Sequence, residues 1–319
     1  MKKLALLALV AALATSCSDD ETSIPQEDLQ LATPALHMKV STASGESPFT
    51  GVLTVMPCQP ESSIYFGNYV NHRLTPFYGY YMVKDGEFYE SSSNRELLLP
   101  MGDYNMIYWG TPKYEEPIYS NPAVREPSYS IGGDLSQQAF SLLKMSNDTT
   151  YYPVYDLVHA VQNVNIGTDE LVASLQRVVA GIKVSVKNQE DSALSSNIES
   201  VVIGITGIAR ELDFYTGQPQ GDACTVTFPL VRSVDGTEMT NGTVMLFPSY
   251  GNPEFQMSIK LKNGTVKRFK QTLKSPLVAN TKLTLNLTVG DIFTGDVSGD
   301  FTMEDWKEDN ENIDVPIIE

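Results

Sequence analysis

The sequence predicts an all-β protein, two packed β-sandwich domains behind a cleaved leader, and three observations predict it. From about residue 36 to residue 290 the chain is a succession of short β-prone runs divided by Gly, Pro, Asn and Ser clusters. Long stretches of 3.6-residue periodicity are missing. The first residues, Met1-Lys2-Lys3 and then an apolar run from Leu4 to Ala14, stop at a cysteine.

That N-terminal run is a signal peptide. A positive start, an apolar stretch of eleven residues and a small-residue cleavage site match the secretory pattern. The run is too short to cross a hydrocarbon core of about 30 Å. Ala14-Thr15-Ser16-Cys17 resembles a lipobox, with Ala14 where Leu is usual. Cys17 is the expected lipidation site, and residues 1–16 the part removed. Acyl chains on Cys17 contribute about 0.8 kcal/mol per buried methylene, enough together for a stable tether. The acidic run Ser18-Asp19-Asp20-Glu21 resembles the signal that sends lipoproteins of some Gram-negative anaerobes to the outer face of the outer membrane. Residues 17–35, polar and carrying Pro25 and Pro34, read as a flexible lipidated tether.

Charge excludes one partner class. The formal net charge of −17 becomes −19 once Lys2 and Lys3 leave with the signal. Phosphate would repel such a chain, and no basic stripe offsets this, so nucleic acid is not a partner. Residues 291–319 hold ten acidic residues against Lys307 and form an acidic C-terminal segment. Cys58 and Cys224 remain after acylation of Cys17, and two buried thiols are preferred over a disulfide.

About 300 mature residues suggest two domains. The first spans 36–166, with runs at Phe49 to Val55, Phe77 to Val83, Glu96 to Leu99 and Tyr104 to Trp109. The second spans 167–290, with the boundary placed near Gly167. It contains Ile182 to Val186, Val201 to Thr206 and the clearest alternation of the chain, Lys282-Leu-Thr-Leu-Asn-Leu-Thr-Val289. Met257 to Lys262 and Thr265 to Phe269 flank Asn263-Gly264, which predicts a hairpin with a type I′ turn. Leu171 to Ala180 fits either a helix face through Leu171, Leu175, Val178 and Val179 or the start of a strand. Two sheets face to face are the economical packing for so many short strands.

Leu175-Gln-Arg-Val-Val-Ala-Gly-Ile-Lys-Val-Ser-Val186 resembles a motif of fimbrillin-like lipoproteins, the subunits of type V pili: an apolar residue, Arg, then small residues leading into a strand. Leu99-Pro-Met-Gly-Asp-Tyr-Asn-Met-Ile-Tyr-Trp109 and Ala279-Asn-Thr-Lys-Leu-Thr-Leu285 resemble strands of the same family. The resemblance implies two transthyretin-like antiparallel β-sandwich domains and a role in pilus assembly, anchoring or adhesion. It implies other pilus subunits as partners through donor-strand exchange, in which main-chain hydrogen bonds supply affinity and alternate side chains fill pockets. Stalk subunits of the family are activated by an arginine-specific protease. Here no arginine lies between Cys17 and Arg73, so Arg73 and then Arg95 are the first candidate processing sites. An uncut, lipid-bearing chain points to an anchor-like or accessory subunit. Asp148-Thr149-Thr150 and Asp191-Ser192-Ala193 match the O-glycosylation pattern of such bacteria.

No catalytic constellation appears. His37, His72 and His159 are isolated from one another and from both thiols, so no zinc spacing arises, and no cofactor or metal is expected. Asp296-Val-Ser-Gly-Asp300 fails as a calcium loop, since Phe301 falls where Gly turns the chain and Lys307 where a bidentate Glu belongs. Fourteen of sixteen tyrosines precede residue 156. Tyr78, Tyr80, Tyr81, Tyr108 and Trp109 are therefore the candidate binding surface, for glycans or for host or bacterial surface proteins. The alternative functions are a glycan-binding surface lipoprotein and, behind it, an envelope hydrolase working with two carboxylates.

Overall fold

The computed structural model describes residues 29–42, 45–76, 80–91, 96–112, 124–146, 149–188, 192–289, 304–305 and 308–315. The signal peptide, Cys17, Tyr78, Arg95, Asp148, Asp191, Asp296 and Trp306 lie outside them. The chain is nearly all-β, 62% strand and 1% helix. The one helical element among the described residues is the 3₁₀ turn Leu135–Gln137, capped by the Asp134 carboxylate accepting from the Ser136 amide.

One sheet runs in the order Leu171–Arg177, Val158–Ile166, Gly102–Pro112, Gly51–Cys58, Tyr81–Lys84, Glu87–Ser91, Leu36–Thr42 and Gly45–Pro48. It closes on itself, because Leu171–Arg177 also pairs in parallel with Leu36–Thr42. Closure leaves a core of inward residues such as Met38, Leu53, Tyr81, Tyr108 and Leu175. Glycine is required at one close approach within it. A Cβ on Gly51 would lie 2.2 Å from the Thr111 carbonyl oxygen.

Gly102–Pro112 is buried on both faces from Tyr104 to Gly110. Tyr104, Met106 and Tyr108 face the closed sheet's own core, whereas Ile107 and Trp109 join the core of the second unit. The alternation of one strand thus feeds two cores.

The second unit packs two layers. One contains the long hairpin Ile198–Asp213 and Pro219–Arg232, extended by Glu254–Leu261 and Val266–Thr272. The other contains Glu238–Thr240, Ala180–Asn188, Thr281–Val289 and, in parallel on the last, Glu308–Val315. Thr281–Val289 alternates buried Leu283, Leu285, Leu287 and Val289 with half-buried polar residues, as its sequence predicts.

Three expectations are revised. The boundary near Gly167 divides a sheet: Leu171–Arg177 follows it yet belongs to the first sheet, while Val124–Arg125 and Ala139–Leu142 precede it yet pair into the second unit. The ambiguous Leu171 segment is a strand. The Asn263-Gly264 hairpin exists, but its turn is not type I′, because only Gly264 has positive φ, at 88°. The Gly264 amide donates to Leu261 O and the Leu261 amide to Thr265 O, giving a three-residue loop that ends in a left-handed glycine.

Candidate functional site

Two sheet edges, one hairpin tip and one cleft are among the features of the described residues that a partner can reach. Val266–Thr272 pairs only with Glu254–Leu261 among the described strands, and it carries Lys267, Arg268 and Lys270. Charged residues on an edge discourage indiscriminate strand addition. The other edge of the sandwich is Thr281–Val289, and there Glu308–Val315 lies in register from Lys282↔Glu308 to Val289↔Val315. Asp309 and Glu311 take the register positions beside Leu283 and Leu285, which are core residues.

Arg73 opens a short strand, Arg73–Thr75, paired with Asn68–Val70. The residues between them, Asn71 and His72, both have positive φ, 50° and 59°, so this is the true type I′ turn. Arg73 and His72 are exposed at its tip. Arg95 lies outside the described residues.

The tyrosine surface expected from the sequence is overturned in most of its members. Tyr81 is 1% exposed, Tyr108 0% and Trp109 3%; Tyr80, at 44%, is the exposed one of the four described. The physical reason is the double burial of the strand that carries Tyr108 and Trp109, and the inward position of Tyr81 in the closed sheet.

Trp109 is the centre of the junction between the units. Its indole Nε1 donates to the Phe214 carbonyl at 2.8 Å, and its ring stacks on Phe214 and meets Phe140 edge-on. Asn105 Nδ2 donates to the Tyr215 hydroxyl at 2.8 Å. His159 lies against the Trp109 ring, centroids 4.5 Å apart, and burial holds its pKa down to about 4. A Cβ on Gly217, whose φ is +69°, would sit 2.9 Å from His159 Nδ1. The turn from Asp213 to Gly217 is thus seated on the outer face of the first sheet.

Beside this junction opens a cleft of about 310 Å³. Trp109, Phe140 and Phe214 lie towards its floor, and Tyr80, Tyr129 and Tyr155 are its more exposed rings. Glu126, exposed, accepts a hydrogen bond from the Tyr155 hydroxyl at 3.0 Å. Burial and the neighbouring carboxylate both push the Tyr155 phenol well above its ordinary range. Sequence reading missed Glu126, Tyr129 and Tyr155, because a tyrosine count does not say which rings share a face.

The arginine of the family-like motif, Arg177, has a structural partner. Its Nε donates to Asp156 Oδ1 at 2.9 Å and its Nη2 to Oδ2 at 2.8 Å, with both side chains buried. Burial pushes the Asp156 carboxyl up while the guanidinium opposes it. A lone acid inside the apolar run Val154 to Val158 was the available signal.

The remaining candidates are dispersed. Cys58 and Cys224 are free thiols, each pushed up to about 12, chiefly by burial. His37 is partly exposed, 3.5 Å from Glu170. Among the described residues no group of three or more His, Cys, Asp or Glu side chains could hold a metal ion.

With this geometry in place, comparison with known proteins decides the family. The model of the fimbrillin-A associated anchor proteins Mfa1 and Mfa2 matches residues 29–312. The chain belongs to the Mfa2 family. Comparison of its sequence with curated proteins finds no match. Among solved structures, the fimbrial anchor protein Mfa2 from Porphyromonas gingivalis is 17% identical, with a TM-score of 0.43 over 74% of this chain and 82% of that one. A candidate cell adhesion protein from Bacteroides uniformis is 12% identical, with a TM-score of 0.47 over 86% of this chain and 98% of that one. As a member of the Mfa2 family, the chain is a fimbrial, cell-surface type of protein that associates with other fimbrial subunits.

Proposed function

We propose that this Mfa2-family chain is an anchor-like or accessory subunit of a type V pilus, held at the outer membrane by acyl chains on Cys17. The observation that carries the reading is the family match, which starts at residue 29 and leaves Cys17 and the acidic run after it ahead of the matched region. The two units are then transthyretin-like sandwiches, and the protein contributes to cell adhesion by building the pilus, without catalysis.

We further propose that its neighbours join by strand exchange along Thr281–Val289. In support, Glu308–Val315 occupies that edge with acidic residues at two register positions that adjoin core leucines. An incoming strand with apolar residues at those two positions would continue the apolar alternation of Thr281–Val289.

Intact mass and N-terminal peptide mapping on protein isolated from its native membrane test the reading. Acylated Cys17 on an otherwise uncut chain is the expected result. A new N-terminus at Leu74 or Glu96 would instead make it a proteolytically activated stalk subunit, with Arg73 or Arg95 as the processing site.

A further inference from the structure

The cleft beside Trp109 combines ring faces with one carboxylate, and that combination has a chemical meaning. The face of an aromatic ring carries negative potential and attracts a cation within about 6 Å, most strongly for tryptophan. Here Tyr80, Tyr129 and Tyr155 are the more exposed rings of one cleft, with Trp109 and Phe140 buried towards its floor, and Glu126 stands among them. The Tyr155 hydroxyl donates to one Glu126 oxygen and so holds the carboxylate at the cleft, leaving its other oxygen to accept from a ligand. Among the described residues that line the cleft none is basic, and none is Asn, Gln or His. The polar side chains that line it are Glu126 and the hydroxyls of Thr54, Thr111, Tyr80, Tyr129 and Tyr155, so among these residues the carboxylate alone carries charge. A cation needs only the ring faces and the carboxylate.

We propose that this cleft receives the lysine or arginine side chain of a partner protein. The volume of about 310 Å³ accommodates such a side chain with its methylene stem against the rings. The charge is complementary twice over, locally through Glu126 and globally through a chain of net charge −17. The inference goes beyond strand exchange and stands independently of it, since the cleft lies at the junction of the two units and Thr281–Val289 does not line it.

The test is isothermal titration of the full mature chain with three short blocked peptides, Gly-Lys-Gly, Gly-Arg-Gly and Gly-Gln-Gly, and with methyl glucoside. Saturable binding of the lysine or arginine peptide, weakened by added salt and absent for the glutamine peptide and the glucoside, is expected. Glu126→Gln and, separately, Tyr80→Ala, both at exposed positions, should each weaken it about tenfold or more while leaving the melting temperature unchanged. Equal binding of the glutamine peptide, binding of the glucoside alone, indifference to Glu126→Gln, or no response to either cationic peptide would each overturn the proposal.

Discussion

At the scale of single residues, His159 shows how position overrules type. A histidine isolated in sequence reads as an ordinary polar side chain, yet here it is 7% exposed, packed on Trp109, and its Nε2 has no hydrogen-bond partner among the described residues. Its folded pKa of about 4 lies below the ordinary value of 6.5. The unfolded chain therefore binds more protons between those two values, so the stabilisation is complete above pH 6.5 and is lost as pH falls towards 4. Acidification from pH 7.5 to 5 should cost the protein about 2 kcal/mol through this residue. Urea midpoints at the two pH values check it: His159→Gln should reduce the pH dependence by that amount, and an unchanged dependence would remove His159 as its source. The same contrast governs the aromatics. That strands of the first unit are rich in tyrosine is plain in the sequence; that Tyr108 and Trp109 point into two different cores is not, because most of the second core is built by residues beyond 124.

At the scale of elements, regular alternation was legible where the inward residues are apolar, as in Glu254–Leu261 and, after the buried Thr281, in the rest of Thr281–Val289. Leu171–Arg177 hid its period of two because the inward set is Leu171, Ala173, Leu175 and Arg177. The arginine is inward only because Asp156, twenty-one positions earlier, waits for it. Turns failed for a related reason: Asn263-Gly264 carries the favoured dipeptide yet forms a three-residue loop, while Asn71-His72 takes the type I′ form without glycine. The ion pair predicts its own test. Removing one partner leaves a buried charge uncompensated, so Arg177→Ala should lower the unfolding free energy by about 3–5 kcal/mol. Asp156→Leu combined with Arg177→Met should recover much of the loss, because two apolar side chains need no compensation in the same space. Denaturant melts of the three proteins decide the matter. A double variant as unstable as Arg177→Ala would mean that the pair stabilises by more than mutual neutralisation.

At the scale of the whole molecule, two domains in series were the natural reading of the length, and the strands interleave instead. Val124–Arg125 and Ala139–Leu142 lie in sequence inside the first unit but pair into the second, and the apolar core of the second includes Met56, Ile107 and Trp109. Loop connections of this length are invisible to local pattern, since nothing in Ala139 to Leu142 states that its partner is Glu211 to Asp213. The consequence is energetic coupling. Neither unit can lose its packing without exposing residues of the other, so the chain should unfold as one cooperative body. Phe214→Ala is the sharpest probe, because Phe214 lies in the second unit and stacks on Trp109 of the first. It should destabilise the protein by about 3–5 kcal/mol and shift the transitions followed by far-ultraviolet circular dichroism and by tryptophan fluorescence, read in a Trp306→Phe background so that Trp109 alone reports, together. Two separable transitions, with only one moved by Phe214→Ala, would mean that the interleaved strands join the units without coupling them.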